Sequence, residues 1–161
     1  MKNWKDTITE QLHTKMEGIN EKDFRFYRVA EFERMINRSH DLSANCKICQ
    51  AFKPEIDTIV ETIDTAIQTP GRLRRNYDRL IDRMAKHQRR EHQYFQPYYF
   101  TYNYSFFGML TGSALGLLLG FVIFPEAIWY FILSGFVIGL LAARFWGARK
   151  DKVVRASGKL L

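Results

Sequence analysis

Residues 106–124 read FFGMLTGSALGLLLGFVIF and residues 127–143 read AIWYFILSGFVIGLLAA, with only Pro125 and Glu126 between them. Neither run carries a charge, and Trp146 extends the apolar pattern past Arg144. A helix rises about 1.5 Å per residue, so about 20 apolar residues cross a hydrocarbon core of about 30 Å. Two such helices joined by two residues must run antiparallel. This predicts a transmembrane hairpin over residues 106–147, with spans at 106–124 and 127–146. Small residues recur at every fourth position: Gly108, Gly112, Gly116 and Gly120, then Gly135, Gly139, Ala143 and Gly147. Lipid tails are as apolar as Leu, so helices associate in a bilayer where small residues let backbones approach. These eight positions are the expected helix-packing residues.

The rest of the 161-residue chain is read outward from the hairpin. Residues 1–93 are long enough for a small helical core, and their apolar spacing is helical. Trp4, Ile8, Leu12, Met16 and Ile19 mark a first helix, with Asn3 as its cap and Gly18 as its stop. Phe26, Val29, Phe32 (or Ala30), Met35 and Ile36 mark a second, over about residues 22–39. Ser43 or Asn45 can cap a third, which buries Ile48, Phe52, Ile56, Ile59, Val60, Ile63 and Ile67 and carries Pro54 in its first turns. Thr69-Pro70-Gly71 is a turn. Leu73, Tyr77, Leu80, Ile81, Met84 and His87 then mark a fourth helix that ends before Pro97. The third helix carries Glu55, Asp57, Glu61 and Asp64, and the fourth is rich in Arg, so ion pairs between them are expected. The fold class is therefore all-α: a cytoplasmic four-helix domain, an aromatic interfacial connector at 94–105, the two-span hairpin, and a basic tail at 148–161.

Charge places the chain. The net charge is +7 at pH 7, with the excess next to the apolar runs and in no block long enough for a nucleic-acid arm. Nucleic acid is disfavoured, and anionic headgroups near Arg89, Arg90, Arg149 and Lys150 are the expected partners. Basic residues precede the first run and follow the second, whereas the loop between carries only Glu126, so both termini are expected to be cytoplasmic. In a bacterium this would be the inner membrane. The polar start MKNWKDTITEQ lacks the apolar core of a secretory signal. Tyr94 to Phe107 read as an aromatic belt at one membrane interface, with Trp129 and Tyr130 at the other.

The two cysteines then lie in a reducing compartment, where metal binding is favoured over a structural disulfide. Cys46-Lys-Ile-Cys49 is a C-x2-C pair, and His87 and His92 form an H-x4-H pair. Both spacings suit tetrahedral Zn2+, which takes thiolate and imidazole ligands. Cys46 and Cys49 lie 24 and 21 residues before Pro70, and His87 and His92 lie 17 and 22 after it. Antiparallel helices turning at Pro70 would bring the two pairs to one height. His40 is the substitute ligand. Four protein ligands leave no position for catalytic water, which predicts a structural zinc site. A thioredoxin-like redox pair is disfavoured because no βαβ context surrounds the cysteines.

Arg34 and His40 form an R-x5-H spacing that resembles the R-x4–6-H motif of HEPN-type ribonucleases, which are all-helical. The resemblance covers those two residues and implies RNA cleavage as an alternative. No phosphate loop and no nucleophile elbow occur. The four-residue glycine spacing resembles the glycine zippers of oligomeric channels and rotor rings. A rotor requires an intramembrane carboxylate, which both runs lack. The expectation is a non-enzymatic membrane adaptor or accessory subunit, acting as a homo-oligomer or with a membrane partner protein. The alternatives are an oligomeric pore or membrane-perturbing effector and a membrane-tethered HEPN-like ribonuclease.

Overall fold

The computed structural model describes residues 3–161, and helices account for most of them, with no β-strand among the described residues. In chain order they are α1 (Trp4–Met16), α2 (Glu21–Phe26), α3 (Val29–Leu42), α4 (Lys47–Ala51), α5 (Lys53–Gln68), α6 (Arg72–His92), α7 (Tyr99–Ile123) and α8 (Ile128–Ala156). They fall into two compact units, one holding the residues up to Tyr94 together with Leu161, the other holding Phe95–Leu160.

In the N-terminal unit, α5 and α6 reverse at Pro70. Side-chain contacts step away from the turn in opposite directions: Arg74 donates to the Ala66 and Ile67 carbonyls, and Arg83 pairs with Glu55. Arg74 thereby satisfies carbonyls that the end of α5 leaves free, and its guanidinium lies 4.1 Å from the centre of the Tyr27 ring. Ile8 and Leu12 of α1, Phe32, Met35 and Ile36 of α3, Ile56 and Ile63 of α5, and Tyr77, Leu80, Ile81 and Met84 of α6 are buried together. Each such aliphatic or aromatic side chain contributes about 1.5–3 kcal/mol relative to exposure.

Two of the expected helices are broken, one by contacts from α6 and one by a proline. The segment expected over residues 22–39 splits at Arg28, whose φ of 59° lies in the left-handed region. Tyr77 donates its hydroxyl to the Tyr27 carbonyl at 2.7 Å, and the Arg28 guanidinium bridges Glu31 at 2.8 and 2.9 Å and Asp82 at 3.3 Å. These contacts offset the backbone strain. The third expected helix splits at Phe52, because Pro54 has no N–H to donate to the Gln50 carbonyl. Its N-cap is neither Ser43 nor Asn45 but Cys46, whose Sγ accepts the Cys49 N–H at 3.5 Å.

Of the acids of α5, Glu55 makes the expected pair with α6, whereas Asp57 and Asp64 face elsewhere. Asp57 accepts from Trp4 Nε1 at 2.9 Å and Asp64 pairs with Lys15 at 3.7 Å, so both serve α1, while Glu55 reaches α6. Most of the cations of α6 are thus left to solvent. Arg72, Arg75, Arg79, Arg83, Lys86 and Arg90 are exposed and recur at three- and four-residue spacing. At 3.6 residues per turn they share an arc of about 80° over a length of about 27 Å. Neighbouring like charges at this spacing repel by about 0.2–0.5 kcal/mol a pair.

In the C-terminal unit the small-residue faces of α7 and α8 meet. A Cβ placed on Gly112 would overlap the Gly135 carbonyl oxygen, one on Gly116 the Phe131 carbonyl, and one on Gly139 the Gly108 carbonyl. A Cβ on Gly108 would strike Ala143, one on Gly120 would come within 3.1 Å of Ile128, and one on Gly147 within 2.7 Å of Phe100. The helices run past the apolar stretches: α7 starts within the aromatic connector, and α8 continues through the basic tail to Ala156. Asp151, a lone acid in that tail, accepts from the Phe100 N–H at 3.0 Å and the Thr101 N–H at 2.8 Å. It caps the first turn of α7, where free N–H groups and the helix dipole favour a carboxylate. α7 and the helical stretch Pro125–Ala156 are each long and apolar enough to cross a membrane, with 17% and none of their most apolar windows buried.

Gly112→Leu should force the backbones of α7 and α8 apart and cost about 1–3 kcal/mol, the usual range for overpacking. Thermal unfolding of the full chain in mild detergent would read this as a lower midpoint; an unchanged midpoint would mean that the close approach contributes nothing.

Candidate metal centre

Cys46 stands at the N-cap of α4 and Cys49 on its first turn, while His87 and His92 occupy the last turns of α6. The short α4 aims both sulfurs the same way, because the Cys46 sulfur folds back over the N-terminus to take the Cys49 N–H. The α6 helix ends at His92 because Gln93 enters the left-handed region at φ 57°.

The antiparallel pairing of α5 and α6 carries these residues to one place. Cys46 Sγ lies 3.3 Å from His87 Nε2, and Cys49 Sγ lies 3.4 Å from His92 Nε2. One ligand atom from each of the four falls within 4.8 Å of the others, so the group could bind a metal ion. The walls are aromatic: the His87 and His92 ring centroids are 5.1 Å apart, and the edge of Phe52 lies against His87 at 5.9 Å. Cys49 is fully buried and the other three are partly accessible.

The electrostatics differ between the two sulfurs. The Cys49 N–H holds the Cys46 thiol below its ordinary value, against the opposing effects of desolvation and Glu91. Burial pushes Cys49 up to about 12, with Cys46 adding to the shift. Burial also lowers His87, and the facing His92 acts in the same direction. The neutral imidazole that a metal requires is therefore the favoured form of His87. A buried thiol at Cys49 would lose its proton to solvent only as a cation takes its sulfur, because the cation's charge stabilises the thiolate.

His40 lies outside this group. Its ring stacks on Trp4 at 5.8 Å, and its Nε2 is 3.1 Å from Asn3 Nδ2, so α1 engages it. Arg34 is exposed on α3. Six positions along a helix is a rotation of about 600°, which puts Arg34 and His40 on different faces of α3. The sequence reading did not single out Gln88, buried on α6, which donates to the Met35 carbonyl at 3.0 Å and to Ser39 Oγ at 2.8 Å. That pair of bonds fixes α6 to α3 one residue beyond His87. A lone amide among arginines gave no periodic signal of burial.

No protein-family model matches the chain, and neither a curated protein nor a solved structure matches it.

Elemental analysis of the purified full chain would test the ligand set. Cys46→Ser, Cys49→Ser, His87→Ala and His92→Ala should each lower bound divalent metal by more than half, and His40→Ala should leave it unchanged. Full metal content in His92→Ala together with loss in His40→Ala would reverse the assignment of the fourth ligand.

Proposed function

We propose that this chain is an integral membrane protein in which a zinc-clamped cytoplasmic helical domain precedes a two-span hairpin, and that it acts as a non-enzymatic adaptor or accessory subunit. The observation that carries the reading is the complete set of four protein ligands at one point. Tetrahedral zinc holds sulfur at about 2.3 Å and nitrogen at about 2.0–2.1 Å, which puts neighbouring sulfur and nitrogen atoms about 3.5 Å apart. The sulfur–nitrogen approaches of 3.3 and 3.4 Å agree with that geometry. Two thiolates and two imidazoles also suit zinc over magnesium or calcium, which prefer oxygen. With all four positions taken by protein, the ion has no site for water and would serve as a clamp.

The membrane reading is supported by the near absence of burial in the apolar windows of α7 and α8. Outward apolar side chains such as Phe121 and Val122, 70% and 78% exposed, suit a hydrocarbon surrounding. The basic flanks at Lys86, Arg89 and Arg90 and at Arg149, Lys150, Lys152 and Arg155, with Glu126 between the spans, support cytoplasmic termini. The glycine stripes are engaged with each other inside one chain, which supports a packed hairpin over a zipper between subunits. The partner is then a membrane protein or a second copy that meets the helical domain.

Chelation tests the clamp. Structural zinc contributes on the order of 10 kcal/mol of binding free energy in small metal-dependent folds. Removing zinc from the full chain in detergent should lower the melting midpoint of the helical domain by 10 °C or more, on the order of the shift that a few kcal/mol produces. Adding zinc back should restore it. A metal-free preparation that melts at the same temperature with and without zinc would contradict the clamp.

A further inference from the structure

The outward face of α6 is unspent. Arg72, Arg75, Arg79, Lys86 and Arg90 make no ion pair among the described residues, and Arg83 pairs only with the exposed Glu55. Asp82, the acid of α6 nearest the arc, pairs with Arg28. A ridge whose cations repel one another, five of the six without an acid partner among the described residues, is complementary to a polyanion. The arc carries no aromatic residue, so it offers no stacking platform for bases. The groove beside it, between α5 and α6, sets Glu55 and Asp82 among Arg79, Arg83 and Lys86, a lining of mixed sign that does not select an acidic helix. Residues 93–98 alone join α6 to α7, and six residues span at most about 20 Å. On the membrane reading above, on which this inference rests, that tether keeps the ridge within reach of a headgroup surface at high effective concentration.

From these observations we infer that the ridge Arg72–Arg75–Arg79–Arg83–Lys86–Arg90 is a docking surface for the anionic lipid headgroups of the bilayer that the chain itself spans. A basic face brought close to an anionic leaflet gains attraction from each cation, and the gain falls off within a Debye length. The ridge has no apolar wedge, so binding is to headgroups at the surface and is reversible by salt.

A photo-crosslinking residue at Asn76, beside the ridge, leaves all six cations in place. The full chain would be reconstituted in nanodiscs of purely zwitterionic lipid or of lipid with one third anionic headgroups, and irradiated. Lipid adducts should form at least fivefold more in the anionic discs, and 1 M salt should reduce them to the zwitterionic level. Arg75→Glu with Arg79→Glu should abolish the preference while metal content stays at one ion per chain, which reports an intact helical domain. The neutral pair Arg75→Gln with Arg79→Gln should give an intermediate yield and covers the case in which charge reversal unfolds α6. Equal yields in the two discs would overturn the inference, as would protein or RNA adducts in cells without lipid adducts. Alkaline carbonate extraction separates the two levels. A chain that washes off membranes overturns the membrane reading and this inference with it, whereas a chain that stays without a lipid preference overturns this inference alone.

Discussion

The pairing of α5 with α6 across Pro70 is the constraint on which the N-terminal unit depends. It fixes one register, and that register decides what every other residue can reach. Near the turn it lets Arg74 close the end of α5. In the middle it buries Ile56, Ile63, Leu80 and Ile81 in one core. At the open end it delivers two imidazoles to two sulfurs more than 40 positions earlier in the chain. A one-residue slip would turn a helix by about 100° and would separate the four ligands at once. Core packing and the convergence of the four Cys and His side chains therefore rest on the same register, and consistency of this kind favours a single folded state.

The C-terminal unit depends on a different force. Its large apolar side chains point outward, and close backbone approach carries the contact between α7 and α8. Glycine at 112, 116, 135 and 139 permits it, and the overlap that any Cβ would cause shows how little room remains. Asp151 adds a polar contact at the end of the pair, where Phe100 and Thr101 present free N–H groups. The two units thus use opposite strategies: one buries large side chains, the other removes them.

Much of this was legible in the sequence. The apolar runs and glycine spacing name the two long helices, because 3.6-residue periodicity and run length are local properties. The four residues of the candidate metal centre were readable because two short motifs lie at comparable distances from one turn. What the sequence did not disclose depends on tertiary contacts. The break at Arg28 needs Tyr77 and Asp82 from α6. The Cys46 cap displaced two better cap formers, Ser43 and Asn45. Asp57 and Asp64 of α5 turned to Trp4 and Lys15, which no count of opposite charges on α5 and α6 could show. His40 lay as close in sequence to the cysteines as a ligand would, yet stacking on Trp4 engaged it. Asp151 sat in a basic tail with nothing in its neighbourhood to mark it as a cap.

The central claim is that a metal ion joins α4 to α6 through two thiolates and two imidazoles. X-ray absorption at the metal edge of the purified, full-length protein tests it most directly. The expected result is a zinc edge with two sulfur scatterers at about 2.3 Å and two nitrogen scatterers at about 2.0–2.1 Å. A shell of oxygen and nitrogen without sulfur, or a protein that carries no metal at neutral pH, would contradict it.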